Sequence, residues 1–381
     1  MGGIKDRVAV WYIQNVIIPK IEIIDKPGFI VTTFTEQGRT TYLREFLLPE
    51  GLLERIEDKF TEKFGRKGEE LLYSSGKKFG YSYVSLSNFP RKDEMGEAEF
   101  KRFAYNFVMY IAAVFAKWAK YQINLKEETF SIRFRDYIVC RHNGKGFILT
   151  EGGVAGIWAY EMKRKDIEAT QVQCQGRGDK LCMVDCAPAD ALSEKYGEIK
   201  MERSLPEIRY SDEYRLMNSI RMPIYAKNSM KTLIDSGYFL YKKGSIMHER
   251  ERFFPCESHL VYILEEEAKK LKGGREVLFN ACFEWGKEFA TINAERISKN
   301  FISDIFSSLG FGDISVAEKS GRVEVTSFHY PWTVFSEKSG YDVFRGVLSG
   351  IFSYITGKYT ELELVDVEVG DSLIIRLEGQ K

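Results

Sequence analysis

At 381 residues, with 44% hydrophobic and 29% charged side chains, the chain has a folded composition and the length of two domains of roughly 150 to 200 residues. Its 55 basic and 55 acidic residues cancel and are interspersed, so no extended basic face marks nucleic acid or anionic lipid as a partner. Gln14 and Asn15 interrupt any signal-type apolar core, Asp6 stands where a myristoylation motif carries Ser or Thr, and six cysteines without a signal suit a reducing, cytoplasmic compartment.

In chain order, Leu52, Leu53, Ile56, Phe60 and Phe64 recur at helical spacing, and a second helix follows through Leu71, Leu72 and Phe79. The spacing of Phe100, Phe103, Phe107, Tyr110, Val114 and Trp118 predicts a third helix with an aromatic stripe. That stripe is either plain core or the wall of a ligand cavity. On the second reading the pocket residues are Phe103, Phe107, Tyr110, Trp118 and Trp158, with Trp285 and Trp332 in the second half. The longest apolar run, Phe107 to Ala116, falls well short of the ~20 residues that span a bilayer, so no membrane span is expected.

Phe130 to Phe134 alternates as a half-buried strand and runs on toward Cys140, and Asn143 to Gly146 mark a turn. Gly152 and Gly153 lead into a helix through Trp158, and a hairpin bearing Cys174 and Cys182 closes the unit. Residues 191–222, polar and bounded by Pro188, Pro206 and Pro223, read as a linker.

The plan then repeats. IDKPGF at Ile24 returns as IDSGYF at Ile234, and GEELLYSSGKKFG at Gly68 returns as GREVLFNACFEWG at Gly274. GGVAG at Gly152 matches GVLSG at Gly346, and GRGDKLCMV at Gly176 matches EVGDSLIIR at Glu368. Four matches in one order argue for a duplication, with units at 1–190 and 223–381. Helices followed by sheet in each half give an α+β class, two tandem ligand-binding-type domains forming a pseudo-dimer within the chain.

The carriers Gly152, Gly156, Cys174, Gly178, Asp179 and Cys182, and in the second unit Gly346, Gly350, Gly370 and Asp371, resemble the 4-vinyl-reductase domain family. That family shares its fold with the sensor domains of phenol- and xylene-responsive activators and with small subunits of the Golgi tethering complex. The resemblance implies a dimer-forming domain that binds small hydrophobic, often aromatic molecules. Its metal-binding members add a Glu three residues before the first hairpin Cys and a Cys upstream of the Gly-rich helix. Gln171 and, approximately, Phe147 stand there in this chain.

Zinc takes about four N or S ligands, and two thiols across a tight turn supply half of such a site. Cys186, Cys140 or His142 are the candidates to complete it. Bound zinc, a disulfide and buried free thiols remain three open readings of the hairpin. The second hairpin, with Asp366 and Ile374 in place of the cysteines, is expected to hold no metal. His248, Cys256, His259 and Cys282 match no ligand spacing and read as core and surface, with His248 and Cys256 in an arginine-rich connection.

No phosphate loop, GxGxxG, HExxH or GxSxG pattern occurs. The expected function is therefore non-catalytic binding or sensing of a hydrophobic small molecule, with output through a separate protein partner. A scaffold acting through protein contacts, with or without further oligomerisation, is the first alternative. An enzyme of tetrapyrrole or aromatic metabolism is the second.

Overall fold

The computed structural model describes residues 4–14, 24–36, 39–139, 146–205, 223–242, 244–331, 339–370 and 373–380. The first half runs α1 (Ile4–Tyr12), β1 (Ile24–Lys26), β2 (Phe29–Glu36), β3 (Arg39–Pro49), α2 (Glu50–Phe64), α3 (Arg66–Leu86), α4 (Glu97–Phe115), β4 (Trp118–Asn124), β5 (Thr129–Arg135), α5 (Ile148–Glu161), β6 (Ile167–Gln173), β7 (Cys182–Pro188) and α6 (Ala189–Tyr196). The second runs α7 (Met230–Asp235), β8 (Leu240–Lys242), β9 (Ser245–His248), β10 (Glu251–Glu257), α8 (His259–Ala268), α9 (Gly274–Ile292), α10 (Lys299–Ser308), β11 (Asp313–Lys319), β12 (Arg322–Phe328), α11 (Asp342–Thr356), β13 (Glu363–Val369) and β14 (Leu373–Gln380). The class is α+β: three antiparallel sheets and their helices share one large core.

Apart from α6, the elements of the two halves follow the same order. Their outer sheets have the orders β4-β5-β7-β6 and β11-β12-β14-β13. Even an irregularity recurs, because the closing hairpins shift register between Gln171 and Gln173 and between Leu364 and Asp366. A bulge of this kind twists a strand pair locally and is a designed feature of a sheet.

Each outer sheet adjoins a helix pair held close by glycines. A Cβ on Gly80 of α3 would lie 2.1 Å from the Gly153 carbonyl oxygen, and one on Gly156 of α5 would lie 2.0 Å from that of Lys77. Gly286 and Gly350 repeat this in α9 and α11, 2.1 Å from Val347 O and 2.0 Å from Phe283 O. Only a residue without Cβ lets the backbones come so near. A Cβ on Gly76 of α3 would likewise lie 2.1 Å from Leu149 O of α5, and Cys282 of α9 faces Gly346 of α11.

The central sheet, in the order β1-β2-β3-β10-β9-β8, joins the units across β3 and β10. Pro49 pairs with Phe253 and Glu45 with Glu257, with Leu47 opposite Pro255 between them. The two outer pairs are images of one another, so Leu47 and Pro255 mark a local two-fold axis and the units form a pseudo-dimer.

Each unit also lends its opening hairpin to the other. The Gly28 N–H donates to Ser307 O at 3.0 Å, and a Cβ on Gly244 would lie 2.6 Å from Ala113 O. Both glycines have left-handed backbones, with φ of +88° and +79°. This register corrects one repeat match: Tyr241 to Gly244, not the Ile234 to Phe239 stretch, is the counterpart of Asp25 to Gly28. The arginine-rich connection expected around His248 and Cys256 is in fact β9 and β10.

Two boundaries also differ from expectation. The third helix stops at Phe115, and Trp118 opens β4 opposite Arg135. Helical spacing had carried across that break because Trp118 keeps the stripe's period by coincidence. The expected linker does not start at 191, since α6 and the segment to Leu205 belong to the first unit. There the Glu202 N–H donates to Glu168 Oε1 at 3.1 Å, and Lys77 meets that same carboxylate at 2.8 Å with both side chains fully buried.

Candidate ligand-binding site

A cavity of about 170 Å³ opens inside the first unit. Its walls come from α3, α4, β5 and α5, and the second unit closes it with Phe254 to Glu257 and Leu260. Phe103, Phe107 and Tyr110 reach it from one face of α4, and Trp158 from α5. Trp118 does not line it; it lies on β4, with the Arg135 guanidinium 6.0 Å from its ring centroid. Trp332 falls outside the described residues.

The walls are braced ring against ring. Phe103 and Phe107 lie parallel with centroids 6.4 Å apart, and Phe89 meets both edge-on at 5.2 and 5.0 Å. Trp158 stacks on Phe130 at 5.2 Å and donates its indole N–H to Glu128 O at 2.8 Å. With its polar tip satisfied outside the cavity, the indole presents only its apolar face within.

Against this apolar wall stand a few polar groups, of which periodicity singles out Tyr110 alone. Glu45 and Glu257, paired across the seam, both line the cavity. Burial, and then the Glu257 charge, holds the Glu45 carboxyl well above the usual range, although the Thr32 side chain bonds it. Glu257 accepts the His259 Nδ1 at 2.7 Å and the His259 backbone N–H at 3.2 Å. Tyr83, Tyr110 and Tyr137 add phenols, and Glu161 adds a third carboxyl at the end of α5.

In the second unit the corresponding positions carry aromatic side chains. The shift that maps Glu45 onto Phe253 and the one that maps Gly80 onto Gly286 put Trp285 and Phe289 where the first unit has Phe79 and Tyr83. Phe289 stacks on Trp285 at 5.2 Å and meets Phe306 edge-on at 6.2 Å, and all three are buried. Aromatic carbon replaces both polar groups.

The cysteine hairpin lies apart from the cavity lining. Gln173 pairs with Met183, which sets Cys174 and Cys182 opposite one another, both buried. The Gln175 N–H donates to Cys182 Sγ at 3.4 Å, and the Cys174 N–H to Asp179 Oδ2 at 2.8 Å. Gln171 spends its side-chain oxygen on the Phe147 N–H at 3.0 Å, tying the entry of α5 to the hairpin.

Cys186 does not join this pair. It lies four strand residues beyond Cys182, opposite Phe130 while Cys182 is opposite Phe134, roughly 13 Å along an extended chain. No single ion spans that distance. Its thiol is pushed up by burial, with Lys77 and Glu168 as neighbours. Cys140 and His142 fall outside the described residues, and among the described residues no group of three or more His, Cys, Asp or Glu has metal-holding geometry. In the second hairpin the register places Val367 and Ile375, not Asp366 and Ile374, at the cysteine positions.

His248 and Cys282 serve packing. His248 stacks on Tyr238 at 4.2 Å, and its ring nitrogens reach Tyr238 O at 3.1 Å and Asn293 Oδ1 at 3.2 Å. Cys282 is buried against α11.

The chain matches no family model and no curated protein sequence. Among solved structures it is similar to the phenol-responsive sensory domain of the transcription activator PoxR with phenol. That match has 15% identity and a TM-score of 0.29, over 44% of this chain and 92% of that one. No helix among the described residues is long and apolar enough to cross a membrane.

Proposed function

We propose that the protein is a small-molecule binding module whose first unit takes up a hydrophobic, ring-sized ligand without transforming it, while the second unit is its scaffold. The observation that carries this is the aromatic-walled cavity in one unit, set against buried aromatic side chains at the matching positions of the other. Apolar cavities of about 150 Å³ hold a benzene-sized guest, so about 170 Å³ suits one or two fused rings. The unit plan and the glycine-held helix pair support membership in the 4-vinyl-reductase type and descent by tandem duplication. Because β10 and α8 close the cavity, occupancy acts on the seam between the units, which is where a protein partner would read it.

The test is titration calorimetry of the full chain with indane. One site per chain is expected, with a negative heat-capacity change from apolar burial. Ala104→Trp, which fills the cavity from α4, removes the heat while the variant still melts cooperatively. No heat with the wild type, or equal heat with this variant, rejects the reading.

The hairpin has a separate, structural part in this proposal. Two buried thiols facing each other fit half of a zinc site, with Cys140 or His142 as the further ligands. Zinc there would clamp the hairpin to the segment that precedes α5.

A further inference from the structure

We propose that the ligand is a lipophilic amine, bound as its cation with its nitrogen at Glu161. This rests on the cavity being a binding site, as argued above. It adds which chemistry the cavity selects.

The lining is one-sided in charge. Its ionisable groups are Glu45, Glu161 and Glu257 with tyrosine phenols and the Cys256 thiol, and no Lys, Arg or His is among the described residues that line it. An anionic guest would meet three carboxyls and no cation in the lining itself. A pure hydrocarbon would fill the space but leave those carboxyls as they are.

Glu161 decides between the remaining classes. It is only 3% exposed, and neither of its carboxyl oxygens has a hydrogen-bond partner among the described residues. The hydroxyl of its neighbour Tyr160 donates to Phe89 O at 3.3 Å, so that phenol's proton is already used. A buried acceptor left bare is costly and uncommon in folded proteins, and one that faces a cavity marks where a donor belongs.

The cation beside Glu161 makes no hydrogen bond to it, and Arg91 Nε is itself buried without a partner among the described residues. Arg91, whose charge is felt at Glu161, has its guanidinium 4.4 Å from the Tyr160 ring centroid. Glu94 opposes it, and with burial as the first cause the carboxyl is held well above its usual range. A guest carrying an ammonium group reverses this balance, because it brings both the donor and the charge that ionises the acid. Phe103, Phe107 and Trp158 line the same cavity, and aromatic rings attract cations at their faces. An alcohol gains the hydrogen bond alone. At position 161 of the first unit the chain thus has an acid, whereas Ile355, 194 residues on in the second unit, is aliphatic and half-exposed.

The experiment uses four molecules of one shape, 2-aminoindane, 2-indanol, indane and indane-2-carboxylate, titrated into the full chain at pH 7. The amine is expected to bind at least about tenfold tighter than the alcohol, the gain of a charge-assisted over a neutral bond. Indane should be weaker again, and the carboxylate should not bind. Glu161→Gln should bring the amine down to the alcohol's affinity and leave indane unchanged, a change in ratio that loss of folding cannot produce. If 2-indanol or indane binds as tightly as the amine, or if Glu161→Gln leaves the ratio intact, the amine inference is overturned while the binding function stands. If none of the four binds, both fall.

Discussion

Glu57 and Glu265 are one structural device used twice. Glu57 on α2 accepts the Leu149 N–H at 2.9 Å at the start of α5, and Glu265 on α8 accepts the Val343 N–H at 3.1 Å at the start of α11. Each carboxyl thereby satisfies a donor that the first turn of a helix leaves without an internal partner. Burial dominates in both and pushes each pKa up to about 8, more than the backbone hydrogen bonds draw it down.

That pair gives the protein a pH-dependent stability of definite sign. A carboxyl that titrates near 4.5 when unfolded and near 8 when folded binds its proton more tightly in the native state. Its contribution is complete below pH 4.5 and is lost as pH rises through 8. The melting temperature should therefore fall between about pH 5 and pH 8. Glu57→Gln with Glu265→Gln keeps an acceptor at both sites and should flatten that slope, Glu45 and Glu161 retaining part of it. An unchanged slope in the double variant contradicts the assignment.

The helix crossings should be intolerant of a single methyl group. Gly156→Ala and Gly350→Ala each place a Cβ about 2 Å from a backbone oxygen that cannot rotate away. Each should cost about 1–3 kcal/mol or more in denaturant unfolding. Gly96→Ala, which meets nothing within 4 Å, should cost less, about 0.5–1 kcal/mol, from its place as the N-cap of α4. Equal effects at Gly156 and Gly96 would falsify the close approach.

For the hairpin, protein purified without chelators should carry about one zinc per chain, the content of one closed structural site. Cys174→Ser and Cys182→Ser should each lose it, and Cys186→Ser should keep it because that thiol lies too far along β7. Sub-stoichiometric metal in the wild type, or full metal in Cys174→Ser, rules the site out.

The parts of the fold legible in the sequence are those written by local constraint. Gly152, Gly156, Gly346 and Gly350 announce their helices because close approach admits no other residue, and Phe103, Phe107 and Tyr110 announce α4 by their period. The central sheet was illegible for an equally physical reason. Of the residues in β10, Phe253, Phe254 and Cys256 are buried without alternating, since a strand covered on both faces has no polar side to show. In β3, Arg44 is buried because its guanidinium reaches Gly28 O at 3.2 Å and His329 O at 3.0 Å, the latter supplied by the other unit. Partners almost three hundred residues away leave no trace in a window of ten. Glu161 escaped for the opposite reason, because an acid at the end of a helix looks solvated until the cavity beside it is known.

The exchanged hairpins have a mechanical consequence. Each half is fastened by a strap that begins in its neighbour, so the two cannot be peeled apart by a pull on the intervening chain without first stripping β1–β2 or β8–β9 from its host. Under load or in a protease, the molecule should yield as a single knot rather than as two beads on a string.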